Sequence, residues 1–157
     1  FKILKLMKKG HSAESAIKCV LENDELREYR QIIAINHEGN GHVFSGSKTI
    51  DISDYFIDKN FVIAGNMLAS KKVVSSMATS FENSNEIFFP KRCLLSLFEG
   101  NKMGGDKRGR MSAAIIYSTP NKKTMTLRID HSNNPLSELF EALELRYSNE
   151  YEDIFDL

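Results

Sequence analysis

Apolar residues recur along this chain with two periods, and the alternation between them outlines the elements. Ile3, Leu4 and Met7 mark one face of a short helix that Gly10 ends as a C-terminal cap. Ser12 is placed to cap a second helix, with Glu14 in its first turn and Ala13, Ala16, Ile17, Val20 and Leu21 as its stripe. The period then shortens. "RQIIAIN" (30–36) and "GHVFS" (41–45) read as strands joined by a turn at "HEGN". "KTIDISDYFID" (48–58) reads as irregular or partly extended, and "FVIAGN" (61–66) as a strand stopping at Gly65-Asn66. Helical spacing returns with Val73, Val74, Met77, Ala78 and Phe81 behind a Ser70 cap. After the loop "ENSNE" (82–86), Pro90 opens another helix with Leu94, Leu97 and Phe98 inward and Gly100 closing it. "MSAAIIYS" (111–118) and "TMTLRID" (124–130) form a hairpin across the turn "TPNKKT" (119–124). Asn134 and Pro135 start a last helix whose face is Leu136, Leu139, Phe140, Leu143 and Tyr147. Helices and antiparallel hairpins in blocks predict an α+β fold.

Composition changes this picture little. The 157 residues suit one domain, taken as 1–147, with 148–157 as an acidic, solvated tail. Lys plus Arg and Asp plus Glu both number 21, so no global charge draws the chain to nucleic acid or an anionic membrane. No apolar run is long enough to span a bilayer. Cys19 and Cys93 fall beside apolar residues and read as buried free thiols, which suits a reducing, cytoplasmic compartment. Phe1 is not an initiator methionine, and a segment upstream of it is expected.

One stretch stands apart. "GGDKRGRMSAAII" (104–116) sets three glycines and four charges against the start of a strand. Side chains alternate across a strand, so matching the apolar faces of 111–118 and 124–130 fixes the register. Met111, Ala113, Ile115 and Tyr117 then meet Met125, Leu127 and Ile129 on the core side. If Ser118 lies near Thr124, Ser112 lies near Asp130, and Asp130 returns to the mouth of the glycine loop beside Arg108 and Arg110. Two readings follow. The cluster binds a carboxylate or another anion through arginine forks and loop N–H groups, or Asp130 pins a tight turn by ion pairing.

Other chemistry is weaker. The loop has G-x-x-x-x-G spacing, but Arg110-Met111 stands where a P-loop needs Lys-Ser/Thr, and a strand follows where a helix is required. His37 and His42 flank a hairpin tip with no zinc spacing, so no metal or cofactor is expected. Asn66 is either an oxyanion or amide donor or an ordinary turn residue.

"LMKKGHSAESAI", "RQIIAIN", "GNMLA" (65–69), the glycine loop and "LRID" (127–130) occur in an order and spacing that resemble the "domain of unknown function 1028" family, which is placed with N-terminal nucleophile (Ntn) hydrolase-like proteins. The resemblance runs from Phe1 to about Tyr147. It implies an αββα sandwich of two antiparallel sheets between helix layers, with a strand-rich N-terminal segment ahead of Phe1 as a partner that this chain lacks. It also implies amide hydrolysis by a Thr, Ser or Cys nucleophile from outside the chain. The substrate would be a small amide-bearing molecule held by Asn66, Asp106, Arg108, Arg110, Ser112 and Asp130. The alternative is a non-catalytic anion-binding or assembly module, and homodimerisation suits either. Met111 replaces a Gln common in the family, and "DHSNNP" (130–135) departs from its usual Asp-Asp-His run.

Overall fold

The computed structural model describes residues 2–85, 87–120 and 124–152, with side chains described up to Tyr147. The tip of the 119–124 turn, the end of the 82–86 loop and the last part of the acidic tail, 153–157, lie outside the described residues.

Two short helices open the fold. Helix α1 (Lys2–Lys8) ends at Gly10, whose φ of +95° lets its N–H reach Met7 O while His11 N–H reaches Leu6 O. In α2 (Ala13–Leu21), the Ser12 hydroxyl accepts from Ser15 N–H, and Ala13, Ala16, Ile17 and Leu21 are buried. Burial of Ile17 and Leu21 stabilises the docking of this helix by about 1.5–3 kcal/mol each. Cys19 is exposed, contrary to the expected buried thiol, because two residues along a helix carry it about 200° from Ile17. Cys93 is half-buried, and that burial pushes its thiol pKa up.

Strands β1 (Gln31–Ile35) and β2 (Gly41–Ser45) form the expected hairpin, with Ile33 opposite Val43. The next segment is partly extended, one of its two expected forms: β3 (Ile52–Asp58) pairs with β4 (Phe61–Leu68) through a two-residue turn at Lys59-Asn60, a pairing not expected from the sequence. Asn60 takes φ +77° without glycine, and its N–H donates to Gly39 O, joining the tips of the two hairpins. Strand β4 continues through Gly65-Asn66 to Leu68, past the expected stop, because a register shift between Ile52 and Asp54 absorbs the irregularity.

Helix α3 (Lys72–Glu82) buries Val73, Val74, Ala78 and Phe81 and packs along α4 (Phe89–Lys102). Two expected caps are corrected here. The Ser70 hydroxyl donates to Met103 O instead of capping α3. Gly100 lies inside α4 because a Cβ there would come within 2.6 Å of Met77 Cγ, so this glycine permits helix contact rather than ending the helix.

Strands β5 (Ala113–Tyr117) and β6 (Met125–Ile129) pair in the predicted register, with Ala113 opposite Ile129 and the Ser118 and Thr124 hydroxyls 3.1 Å apart. Ile116 points outward at 72% exposure. Met111 is 61% exposed rather than on the core side, because regular alternation begins only at Ala113. Helix α5 (Pro135–Glu152) starts at the predicted proline and continues past the expected boundary at Tyr147.

The chain is thus mixed α+β, and its described strands form three two-stranded antiparallel sheets. Two apolar clusters hold it together. Leu68, Val73 and Val74 join β4 to α3; Leu94, Leu139 and Leu143 join α4 and α5 behind β5–β6. Among the described residues, no helix is long and apolar enough to cross a membrane.

Candidate functional site

The glycine loop begins as a helix stop. After α4, Gly104 N–H donates to Asn101 O and Gly105 N–H to Gly100 O, with φ values of +108° and +57°. Those two bonds satisfy carbonyls that the helix end would otherwise leave open. The loop then pairs with the end of β4. Ala69 N–H donates to Gly105 O, Lys107 N–H donates to Met67 O, and Leu68 faces Asp106 across a single antiparallel bridge. This seam fixes where the charged residues stand.

Asp106 then organises a tight turn. Its carboxylate accepts Arg108 N–H at 2.8 Å, and Gly109 N–H donates to its carbonyl. The Arg108 guanidinium returns to the same carboxylate, Nε to Oδ1 at 3.0 Å and Nη2 to Oδ2 at 2.6 Å. That hydrogen bonding holds the Asp106 carboxyl below its usual pKa and raises the Arg108 pKa in turn. Lys107 forms an ion pair with Asp51, which itself takes φ +60°. Arg110 differs: its Nη1 donates at 2.8 Å to Asn101 Oδ1, a neutral acceptor.

The expected meeting of Asp130 with Arg108 and Arg110 does not occur. Asp130 is bound by Arg128, two residues back on its own strand, and its side chain stays 75% exposed. The register was right, but each charge found a nearer partner, with less chain to order. The ion-pair pin of Asp130 on the loop therefore does not form. Ser112 is exposed at the start of the hairpin.

Asn66 is drawn elsewhere. Its Nδ2 donates to Gln31 Oε1 at 3.0 Å, and Gln31 Nε2 lies within hydrogen-bonding distance of Ser45 Oγ, Asp54 O and Gly65 O. Gln31 thereby ties β1 to β2, β3 and β4, a role that sequence reading missed. The only available signal was an amide side chain opening the otherwise apolar "QIIAI".

A cavity of about 550 Å3 lies beside the loop–β4 seam, within the size range of small-molecule sites. Asp51, Ile52, Leu68, Ala69, Asp106 and Lys107 line it, with Gly104 and Gly109. Of the six nominated residues, Asp106 alone is in this lining. The cavity's two carboxylates are each paired, Asp51 with Lys107 and Asp106 with Arg108. Among the described residues, no three His, Cys, Asp or Glu side chains gather as a metal site.

Comparison with known proteins agrees with this architecture. The crystal structure of protein SPO2555 from Silicibacter pomeroyi, a DUF1028 protein, is similar with a TM-score of 0.87 and 29% identity, over 97% of this chain and 68% of that one. No curated protein matches the chain. The family model described as "Family of unknown function (DUF1028)" matches residues 1–139, and the chain belongs to that family.

Proposed function

We propose that the chain binds a small anionic, amide-bearing molecule, such as an N-acylated amino acid, at the mouth formed by the glycine loop and the end of β4. The observation that carries this reading is Arg110. It follows Gly109, which lines the cavity, and its described partner is the neutral Asn101 carbonyl, whereas Lys107 and Arg108 are neutralised by Asp51 and Asp106. Its guanidinium charge is therefore available to a ligand carboxylate. The paired loop supplies a rigid rim rather than competing charges.

Hydrolysis of that amide is the second reading, and it rests on the resemblance to Ntn-hydrolase-like sandwiches. The described lining of the cavity holds no hydroxyl or thiol side chain, and the resemblance assigns the attacking Thr, Ser or Cys to a segment outside this chain. In that case Arg110 would orient the substrate carboxylate. The αββα arrangement is supported by helix α3 packing on the β3–β4 hairpin, with α4 packed along α3, and by α5 packing on β5–β6.

Calorimetric titration with N-acetylglycine and N-acetylglutamate tests binding, and amine release from the same compounds tests turnover. Saturable binding that falls in Arg110→Ala supports the site. Binding indifferent to Arg110 overturns it. Release of amine by the chain alone would overturn the need for an external nucleophile.

A further inference from the structure

The tip of the β1–β2 hairpin shares no residue with the lining of the glycine-loop cavity, and its polar groups have a chemistry of their own. It reads "NHEGNG" (36–41), and Asn40 is the one asparagine in the sequence that a glycine follows. Asn36 organises the turn. Its Oδ1 accepts Glu38 N–H at 3.1 Å and Asn40 N–H at 2.8 Å, and its own N–H donates to Asn40 O at 3.0 Å. Gly39, at φ +81°, donates its N–H to Asn36 O. Glu38 closes the tip, its Oε2 accepting from Asn36 Nδ2 at 3.4 Å and from Asn40 Nδ2 at 3.1 Å.

The backbone nitrogen after Asn40 is left out of the ladder. Antiparallel partners alternate between hydrogen-bonded and non-bonded pairs. The bonds from Asn36 N–H to Asn40 O and from Gly46 N–H to Arg30 O fix the phase, so the pair of Ile35 with Gly41 is a non-bonded one. The Gly41 N–H therefore turns away from β1, next to the exposed Asn40 side chain. Without a Cβ beside it, a glycine nitrogen approaches the preceding side-chain carbonyl carbon with the least steric hindrance. Nor can another residue replace it, because a Cβ at Gly41 would lie 2.3 Å from Val62 Cγ2 on β4. Packing between the two hairpins thus demands a glycine where it leaves the preceding asparagine open to attack.

We propose that Asn40-Gly41 is a self-modification site, at which the Gly41 nitrogen displaces the Asn40 amide to leave an aspartate or isoaspartate, and that this change loosens the joint between the two hairpin tips. Gly41 N gives its proton to solvent hydroxide and attacks Asn40 Cγ. The N–Cγ bond forms, the Cγ–Nδ2 bond breaks, and Nδ2 leaves as ammonia with a proton from water, closing a cyclic imide. Water then opens the imide at either carbonyl, so the net change is a water taken up and an ammonia released. Opening at Cγ gives aspartate. Opening at the Asn40 carbonyl carbon gives isoaspartate, whose backbone runs through the former side chain. In both products a carboxylate joins Glu38 at the tip in place of an amide that donated to it, and the two charges repel. Isoaspartate also takes the carbonyl that accepts Asn36 N–H out of the backbone. The adjoining bond, Asn60 N–H to Gly39 O at 2.9 Å, then loses its fixed acceptor.

The test ages the 157-residue chain, folded and urea-unfolded, in mildly alkaline buffer. Peptide mass spectrometry follows each asparagine, and an isoaspartyl methyltransferase with a labelled methyl donor reports isoaspartate. Asn40 is expected to convert while Asn36 and Asn60 persist, and Asn40→Gln, which would have to close a larger ring, stops methyl incorporation. The folded rate should lie within about tenfold of the unfolded one, because the ladder withholds no part of the nucleophile. Amide exchange at Asn60 should quicken in the converted chain, whereas Asn40→Asp, with the charge but the original backbone, keeps it slower than isoaspartate does. No conversion at Asn40 overturns the proposal, as does conversion of Asn36 or Asn60 at the same rate. A folded rate slower by more than about tenfold, or unaltered exchange at Asn60 after conversion, overturns it equally.

Discussion

The glycine loop and the tip of the β1–β2 hairpin are both turns that depend on glycine, and they leave different groups unspent. In the loop, conspicuous charges are consumed locally: Asp106 takes Arg108, Asp51 takes Lys107, and the glycines cap α4 and close the turn. At the tip, inconspicuous amide side chains satisfy the turn, while the Gly41 N–H stays outside the ladder beside Asn40. Density of charge thus marks a demand of the backbone here, whereas unspent capacity lies at Arg110 and at the Gly41 nitrogen. A group's availability depends on what its neighbours have already satisfied, not on how chemically active its residue type is.

The contrast can be broken at several points. The largest effect is expected in the core behind β5. Leu139→Ala should cost about 2–5 kcal/mol in urea unfolding. A loss under about 1 kcal/mol would mean that the β5–β6 hairpin lacks a packed support.

Within the loop, the glycines are not equivalent. Gly109→Ala should cost about 1–2 kcal/mol from its φ of +92° alone, since nothing lies within 4 Å of the added methyl. Gly104→Ala carries the backbone strain and also places a Cβ 2.7 Å from Ala69 Cβ, adding about 1 kcal/mol or more. Equal losses in denaturant titrations would show that the loop–β4 seam yields freely.

The two arginines should separate binding from folding. Arg110→Ala is expected to weaken N-acetylglutamate about tenfold, roughly 1.4 kcal/mol, with an unchanged melting temperature. Arg108→Ala should lower the melting temperature slightly and leave affinity near wild type. The reverse pattern would assign the ligand to Arg108 and the structural role to Arg110.

The smallest effect is the pH response of the turn. Asp106 has a folded pKa below its ordinary 3.8, chiefly through the Arg108 hydrogen bonds. Its stabilising contribution is complete above pH 3.8 and disappears as pH falls through the lower folded value. Compared with Asp106→Asn, wild type should therefore lose stability more steeply below pH 3.8. Parallel pH profiles would remove the ion pair from the account of the turn.

Much of this was legible in the chain. The Ser12 cap, the Pro135 start, the first hairpin and the register of β5–β6 follow from signals spanning a few residues. Strand β3 was obscured by Ser53 and Asp54, which break its apolar run, and by a turn at Lys59-Asn60 that lacks glycine. Gly100 resembled a helix stop because its real partner, Met77, is distant in sequence. At the site, the glycines and Asp106 were found, but Gln31 and Asp51 were not, and Asp130 was assigned partners that it does not take.

By itself, the sequence determined the helices, the β1–β2 and β5–β6 hairpins and the inward stripes of α2, α3 and α5. These depend on propensity, capping and periodicity, all of which act over a turn or two of chain. Only the tertiary structure decided which partner each charge takes and which glycines a distant neighbour requires. Both are outcomes of competition in space: a guanidinium binds the carboxylate that reaches it at least conformational cost, and a glycine is required where another segment, Met77 at Gly100 or Val62 at Gly41, comes too close for a Cβ.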